Sequence, residues 1–328
     1  MPTPTVLILG ARGSFGQAAT QAFAAAGWQV RVQMRQPGTT SLPAGAQAVD
    51  APLADTAALA ARAPGASLVV YAVNPIYTRW DAELLPLFRQ GLAVTRALGA
   101  RFMLPGNVYN YGSGLAERLA EDTPQRPDHA KARLRCEMEA ELRRAAGQGL
   151  HSVVIRAGDF YGCGSGSWLD QAIVKSIAKG KLVYPGPLDM AHAWAYLPDL
   201  AQAFVAVAGL QGRPAFETLH FAGHTLAGHE LLAAIEAAAA DLGLRPPAGF
   251  RHGSLPWGLI RSLGLAVPMM RELARMSYLW RRPHALDGSA LQRAVGPLPG
   301  TPPAVALRQA LRDLGLGTAA RGPQAALC

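Results

Sequence analysis

Three glycines at regular spacing are the first feature of the chain that suggests chemistry. Gly10, Gly13 and Gly16 follow the apolar run 5–9 (TVLIL) and precede an alanine-rich stretch that ends at Gly27. Between a strand and a helix, the first glycine permits a tight turn, the second lets the backbone approach a pyrophosphate, and the third lets the helix pack closely. The helix N-terminus adds free N–H groups for the phosphates. We therefore predict a dinucleotide-binding turn, rather than an ordinary tight turn, formed by Gly10, Arg12, Gly13, Ser14, Phe15 and Gly16.

Basic residues near this turn bear on which dinucleotide it holds. Proteins that bind NAD usually place Asp or Glu after the second strand, where NADP binders use an arginine. Here the strand-like segment 28–34 runs into Arg35 with no acid, and Arg12 lies inside the glycine turn. The sequence therefore favours NADP(H) over NAD(H). Asp50, after the next strand-like segment, either accepts from the adenine amino group or is an ordinary loop residue.

The elements that must position these residues alternate between strand and helix. Apolar strands are predicted at 5–9, 68–72, 102–104 and 152–155, and an alternating strand at 28–34, with helical patterns between them. Such alternation predicts an α/β fold, a Rossmann-like doubly wound parallel sheet. We expect a dinucleotide-binding domain over 1–160 and a smaller, mainly helical C-terminal substrate lobe over 161–328. The boundary is soft, because residues 220–222 are expected to return to the sheet.

Composition and charge exclude several classes of function. The chain has 328 residues and a formal net charge of +9, which suits an anionic small-molecule ligand. Its arginines are scattered, so we expect no nucleic-acid partner. The apolar stretch 255–270 is too short and interrupted to span a bilayer, so we expect no membrane partner and a cytoplasmic location. It suits an amphipathic helix that covers the core or a partner, and a homodimer stays open.

Cysteine and histidine spacing argues against a metal. The three cysteines contain no CxxC pair, and the eight histidines contain no HxxxH or HExxH motif. Zinc sites usually show such spacing. We therefore expect free thiols and no bound metal.

With these residues placed, the chain resembles the short-chain dehydrogenase/reductase superfamily, and within it the extended or atypical NAD-dependent epimerase/dehydratase branch. The segments that carry the resemblance follow the family order. They are the glycine turn, Tyr71–Asn74 beside the nicotinamide (with Ala72 and Asn74 as cofactor contacts), Asn110–Gly112, Thr123–Pro124, Arg156–Gly164, Tyr196–Asp199 and Asp287–Gly296. The resemblance implies a hydride-transferring enzyme.

The catalytic set of that family is not retained. The resemblance implies a Ser or Thr and a Tyr-x-x-x-Lys helix, in which the tyrosine exchanges a proton with the substrate. Here Asn107 falls at the Ser position. Aligning Glu139 with the family's helix glutamate places Lys131 at the tyrosine and Arg135 at the lysine. The other register places Lys131 at the lysine and Pro127 at the tyrosine.

Three interpretations of this Lys-x-x-x-Arg pair stay open. The pair faces the nicotinamide while other groups, among them Tyr109 and Tyr161, supply the proton. Alternatively the chemistry is lost and the protein senses NADP(H), or both cations form a solvated stripe. We therefore predict an NADP(H)-dependent oxidoreductase, or an epimerase or dehydratase, that acts on a small carbonyl or hydroxyl substrate. The alternative is a non-catalytic NADP(H)-binding regulator.

Overall fold

The central element of the protein is a seven-stranded parallel sheet. A computed structural model describes residues 3–34 and 42–317. The strands are β1 Thr5–Leu9, β2 Gln29–Gln33, β3 Ala46–Val49, β4 Ala66–Tyr71, β5 Arg101–Gly106, β6 Arg118–Leu119, β7 Ser152–Arg156, β8 Asp159–Tyr161, β9 Lys181–Tyr184, β10 Ala191–Tyr196, β11 Phe216–His220, β12 His224–Ala227, β13 Arg251–Ser254 and β14 Ala285–Leu286. The sheet order is β11-β7-β5-β4-β1-β2-β3. The α/β prediction is confirmed.

Helices cover both faces of this sheet. They are α1 Ser14–Ala25, α2 Thr56–Arg62, α3 Trp80–Leu98, α4 Ala130–Ala146, α5 Leu197–Ala208, α6 Gly228–Asp241, α7 Trp257–Leu263, α8 Pro268–Arg275, α9 Ser289–Val295 and α10 Pro303–Asp313. Single helical turns occur at Tyr77–Arg79, Val108–Tyr111, Leu169–Ile173, Ile177–Lys179 and Met276–Trp280.

Strand β1 shows why the sheet is buried on both sides. Leu7 and Leu9 pack into one hydrophobic core, which includes residues of α2, α3 and α4. Val6 and Ile8 point the other way, into a core that includes residues of α1 and α5. Successive strand residues alternate between faces, so a continuous apolar run such as TVLIL signals burial on both.

The topology fixes where a ligand can bind. The strand order reverses between β1 and β4, and in open parallel sheets ligands bind in the crevice at that switch point, beside the carboxyl ends of the strands. The glycine turn follows β1, and residues 72–74 follow β4. The fold thus brings together two segments that sequence reasoning had placed at one site.

The C-terminal half contains more strand than the sequence predicted. Strands β8, β10 and β12 form a three-stranded sheet, β9 pairs with β13, and β6 pairs with β14. β11 returns to the edge of the main sheet beside β7, close to the predicted 220–222. The division at residue 160 stays a prediction. No helix within the described ranges is long and apolar enough to cross a membrane.

Candidate cofactor and substrate site

The glycine turn has the geometry that close phosphate approach requires. Gly10 has φ +81°, and a Cβ there would lie 2.7 Å from the carbonyl carbon of Ala72. A Cβ on Gly16 would overlap the carbonyl oxygen of Gly10 and lie 2.6 Å from the Cα of Ala11. At Gly13 the nearest atom would be 3.5 Å away, which is ordinary contact. Two glycines therefore serve packing, and the space beside Gly13 is open.

The N-terminus of α1 has no side-chain cap. Gly13 occupies the N-cap position in extended conformation and provides no side-chain cap for the first N–H groups. Uncapped N–H groups at a helix start favour an anion. The Ser14 hydroxyl donates to the carbonyl of Ser165 at 3.1 Å, so the loop after β8 crosses this end of the helix. The Phe15 ring instead packs in the core, 4.8 Å from the ring of Phe204.

Residues after β4 connect the glycine turn to α4. The N–H of Ala72 donates to the carbonyl of Leu9 at 2.8 Å. Asn74 Oδ1 accepts from Arg135 Nη2 at 3.4 Å. Helix α4 is held to the sheet by a buried ion pair in which Glu139 Oε2 accepts from Arg156 Nη2 at 2.6 Å. These contacts place Arg135 beside the segment that the resemblance assigns to the nicotinamide.

Lys131 and Arg135 occupy one face of α4. Lys131 Nζ lies 5.1 Å from the centre of the Trp80 ring, and the guanidinium carbon of Arg135 lies 4.9 Å from it. Residues four apart on a helix share a face, so the register alone predicts this pairing. Burial lowers the pKa of Arg135, and its Nε is buried without a hydrogen-bond partner in the described part of the chain.

Lys131 is only 3% exposed, which the interpretation as a solvated stripe cannot accommodate. Its Nζ forms an ion pair with Glu272 Oε2 at 2.6 Å and donates to the carbonyl of Tyr77 at 3.0 Å. It also lies 4.7 Å from the centre of the Tyr77 ring. The ammonium is therefore a paired, buried charge that faces the site.

A pair of tyrosine hydroxyls lies next to Lys131. The hydroxyls of Tyr77 and Tyr109 are hydrogen-bonded to each other. Asn107 Oδ1 accepts from the N–H of Tyr109 at 3.0 Å, which fixes the turn that carries it. Burial raises the pKa of Tyr77 to about 12, and burial, with the neighbouring Tyr77, raises the pKa of Tyr109 well above its usual value. Both hydroxyls stay protonated at neutral pH.

A cavity of about 690 Å³ opens where α4 meets α8. Its lining is Ser113, Asp128, His129, Ala130, Lys131, Arg133, Glu272, Arg275, Met276, Ser277, Tyr278, Arg281 and Arg282. Both carboxylates in this lining already have partners. Asp128 accepts from the N–H and hydroxyl of Ser113, and Glu272 pairs with Lys131 and Arg275. The wall is therefore rich in cations, which suits an anionic ligand.

Other residues predicted from the sequence form separate contacts from those of Lys131, Tyr77 and Tyr109, or lie outside the described ranges. The Tyr161 hydroxyl hydrogen-bonds to His224 Nδ1 at 2.8 Å, whereas the hydroxyls of Tyr77 and Tyr109 bond to each other. Asp50 is exposed at the end of β3, where its carbonyl accepts from Arg62. Arg12 is exposed in the glycine turn. Arg35 lies outside the described residues.

Sequence reasoning missed four residues at this site: Tyr77, His129, Glu272 and Tyr278. His129 caps α4 by accepting from the N–H of Ala132, and its Nε2 is 2.9 Å from the Tyr278 hydroxyl. Tyr77 lies close in sequence to Asn74, which the resemblance assigns to the cofactor site, so that motif pointed to its neighbourhood. Glu272 and Tyr278 belong to no motif. Within the described ranges, no group of three His, Cys, Asp or Glu side chains is placed to hold a metal.

Comparison with known proteins places this geometry in context. A sequence model of the NAD dependent epimerase/dehydratase family matches residues 6–215. No curated protein sequence matches the chain. Among solved structures, a proposed epimerase from Burkholderia cenocepacia J2315 is similar over 95% of this chain and 98% of its own, at 20% identity and a TM-score of 0.71.

Two further structures were solved with ligands. The Bordetella bronchiseptica enzyme WbmH, in complex with NAD+, is 19% identical with a TM-score of 0.70 over 95% of this chain and 98% of its own. A UDP-glucuronic acid 4-epimerase from Bacillus cereus, with UDP-glucuronic acid and NAD, is 14% identical with a TM-score of 0.70 over 94% and 98%. At these identities the likeness shows the fold.

Proposed function

This chain belongs to the NAD dependent epimerase/dehydratase family, and from that premise we propose that it is an NADP(H)-dependent oxidoreductase that reduces a small anionic carbonyl compound. The observation that carries the proposal is the hydrogen-bonded pair Tyr77–Tyr109, held protonated beside the buried Lys131 and Arg135. A cytoplasmic location and a homodimer stay predictions.

The residues present fit a bound dinucleotide. The open space at Gly13 and the uncapped start of α1 suit a pyrophosphate. The buried Nε of Arg135 lacks a partner in the described ranges, beside the segment assigned to the nicotinamide. A ribose hydroxyl would satisfy it. When bound, the reduced cofactor supplies hydride chemistry, and the chain's own residues orient it and supply the proton.

The tyrosine pair suits the role of general acid in a reduction. A hydroxyl that stays protonated at neutral pH has a proton to donate to a developing alkoxide. Tyr77 is the more exposed of the two tyrosines. The buried Tyr109 hydroxyl can donate a hydrogen bond to the Tyr77 hydroxyl. The positive charges of Lys131 and Arg135 would stabilise oxygen as negative charge develops. The overall change is carbonyl plus NADPH plus a proton, giving alcohol plus NADP+.

The first test measures NADPH oxidation with carbonyl compounds that carry a carboxylate or phosphate, and with neutral analogues. We expect turnover with the anionic compounds. Tyr77→Phe and Tyr109→Phe should each lower kcat by about 10²-fold or more, the usual contribution of a general acid, while leaving NADPH affinity unchanged. Tyr184→Phe, another buried tyrosine, is the matched control. Full activity of both site variants would contradict the assignment of the proton donor.

Preference for NADP over NAD rests on the second strand. β2 ends at Gln33 and is followed by the buried Met34. Neither residue is an Asp or Glu that could bind a ribose hydroxyl, as NAD binders usually require after this strand. Arg12→Ser with Arg35→Ser should weaken NADPH binding by about 1.5–3 kcal/mol per lost phosphate contact and change NADH binding little. Titration by fluorescence or calorimetry measures both. Equal affinity of the unaltered protein for the two cofactors would contradict the preference.

The second candidate function is NADP(H) sensing without turnover. The observation that favours it is Lys131, which is paired with Glu272 on a helix where the catalytic tyrosine is missing in both possible registers. A sensor should bind NADPH tightly, oxidise none of it with any carbonyl compound, and keep that affinity in the Tyr77→Phe and Tyr109→Phe variants. The same experiments therefore separate the two candidates.

A further inference from the structure

The α7–α8 hairpin, residues 257–275, exposes an apolar surface that the proposed function does not use. Between residues 258 and 269 only Ile260 and Gly264 are buried. Leu265, at the turn, is 88% exposed. The large aliphatic side chains exposed on the hairpin are Leu259, Leu263, Leu265, Val267 and Met269. Single exposed apolar residues are common, but a contiguous group marks an interaction surface.

The exposed charges of this region are all positive, because Glu272 of the hairpin is buried. Residues 243–271 contain no aspartate or glutamate, and they contain Arg245, Arg251, Arg261 and Arg271. Two of these arginines flank the apolar turn, because a Cβ on Gly264 would lie 2.9 Å from Arg271 Cα and 3.2 Å from the Arg261 carbonyl. Both side chains are exposed, and neither forms an ion pair within the described part of the chain. The surface is therefore both apolar and cationic.

We propose that the α7–α8 hairpin binds the surface of a bilayer that contains anionic phospholipids. Its aliphatic side chains would enter the boundary between headgroups and acyl chains, and Arg261 and Arg271 would contact the phosphates. This proposal departs from the expectation of no membrane partner, which rested on the lack of a spanning segment. It is independent of the proposed reaction.

Two other occupants suit this surface less well. A second copy of the chain would bring arginines against arginines with no carboxylate between them, and such like-charge contact is unfavourable. Single-stranded nucleic acid binds through aromatic side chains on which bases stack, whereas the exposed side chains here are aliphatic. A bilayer surface with anionic headgroups matches both the apolar and the cationic character.

The test is co-sedimentation of the full chain with vesicles of phosphatidylcholine, with and without phosphatidylglycerol. We expect binding to the anionic vesicles that weakens with added salt. Arg261→Gln with Arg271→Gln should lower the partition coefficient about 25-fold, at roughly fivefold per arginine. Leu263→Gln with Leu265→Gln should lower it at least tenfold. Val305→Gln and Arg312→Gln, exposed positions on α10, are the matched controls and should bind as the unaltered protein does.

Three results would overturn the proposal. They are no binding to either vesicle, equal binding of the hairpin variants and the controls, and dimerisation without vesicles that the hairpin variants abolish. The last would assign the hairpin to a second copy. Circular dichroism checks that each variant is folded. NADPH affinity should stay constant in these variants, because Arg261, Leu263, Leu265 and Arg271 lie outside the cavity lining. Failure here is therefore distinguishable from failure of the proposed function.

Discussion

At the scale of single residues, Lys131 shows how the fold makes a buried charge tolerable. An ammonium removed from water is costly unless it is paired and hydrogen-bonded. Here Glu272 supplies the opposite charge, the carbonyl of Tyr77 accepts a hydrogen bond from the ammonium, and two aromatic rings face the cation. The ion pair joins α4 to α8 across 141 positions of sequence. It therefore fixes one wall of the cavity between α4 and α8.

Removal of one partner of this pair should be strongly destabilising. Lys131→Met leaves Glu272 buried with Arg275 as its remaining ion-pair partner among the described residues, and we expect a loss of about 3 kcal/mol in the free energy of unfolding. Lys131→Met with Glu272→Leu removes both charges and should recover part of that loss. Urea unfolding of the two single variants and the double variant measures the coupling. Strictly additive losses would show that the pair contributes no coupling.

The Lys131–Glu272 pair also marks the limit of prediction from sequence. Lys131, Asn107 and Tyr109 were singled out because each lies in a segment with local spacing that resembles a family motif. Glu272 lies on a short helix with no recognisable pattern, and only the tertiary fold brings it to Lys131. No local signal distinguishes such a partner from any exposed glutamate.

At the scale of elements, the strands that sequence predicted belong to the central sheet. β1, β2, β4, β5 and β7 lie within two residues of their predicted ends, because β1, β4, β5 and β7 contain apolar runs and β2 alternates between apolar and polar residues. β8, β9, β12 and β13 have three or four residues and are partly exposed or interrupted by polar residues. Such strands exist because a partner strand is available, which sequence alone does not reveal.

The glycine turn gives the sharpest prediction at this scale. Gly13→Ala should leave a folded protein, because its Cβ would meet no atom closer than 3.5 Å and its φ of −74° suits any residue. It should nevertheless abolish cofactor binding, because the methyl group fills the space that a pyrophosphate needs. Gly16→Ala is the matched comparison, and overlap with the Gly10 carbonyl should destabilise the fold itself. Thermal unfolding and cofactor titration separate the two effects.

Unchanged cofactor affinity in a folded Gly13→Ala protein would show that the phosphates bind elsewhere. Loss of folding in that variant would instead show that Gly13 serves packing, as Gly10 and Gly16 do. Either result would remove the main structural support for a dinucleotide at this turn.

At the scale of the whole molecule, buried tyrosines couple stability to alkaline pH. Burial raises the pKa of seven tyrosines, Tyr71, Tyr77, Tyr109, Tyr111, Tyr161, Tyr184 and Tyr278. The pKa of Tyr111 rises to about 12, for example. A group whose pKa is higher in the folded state binds its proton more tightly there. Its contribution to stability is fully present below the unfolded pKa of about 10 and is lost as pH rises above that value.

We therefore expect the free energy of unfolding to fall steeply above pH 10. Between pH 10 and 11 the unfolded tyrosine goes from half ionised to about nine-tenths ionised, so each buried tyrosine loses about 1 kcal/mol and seven together lose about 7 kcal/mol. That loss is comparable to the total stability of a typical domain, about 5–15 kcal/mol, so a large drop in stability over this unit of pH follows. Urea unfolding at stepped pH, with tyrosine ionisation followed by absorbance, measures both quantities. Tyr184→Phe should reduce the slope by about one seventh, and a slope that stayed flat up to pH 12 would contradict the burial of these hydroxyls.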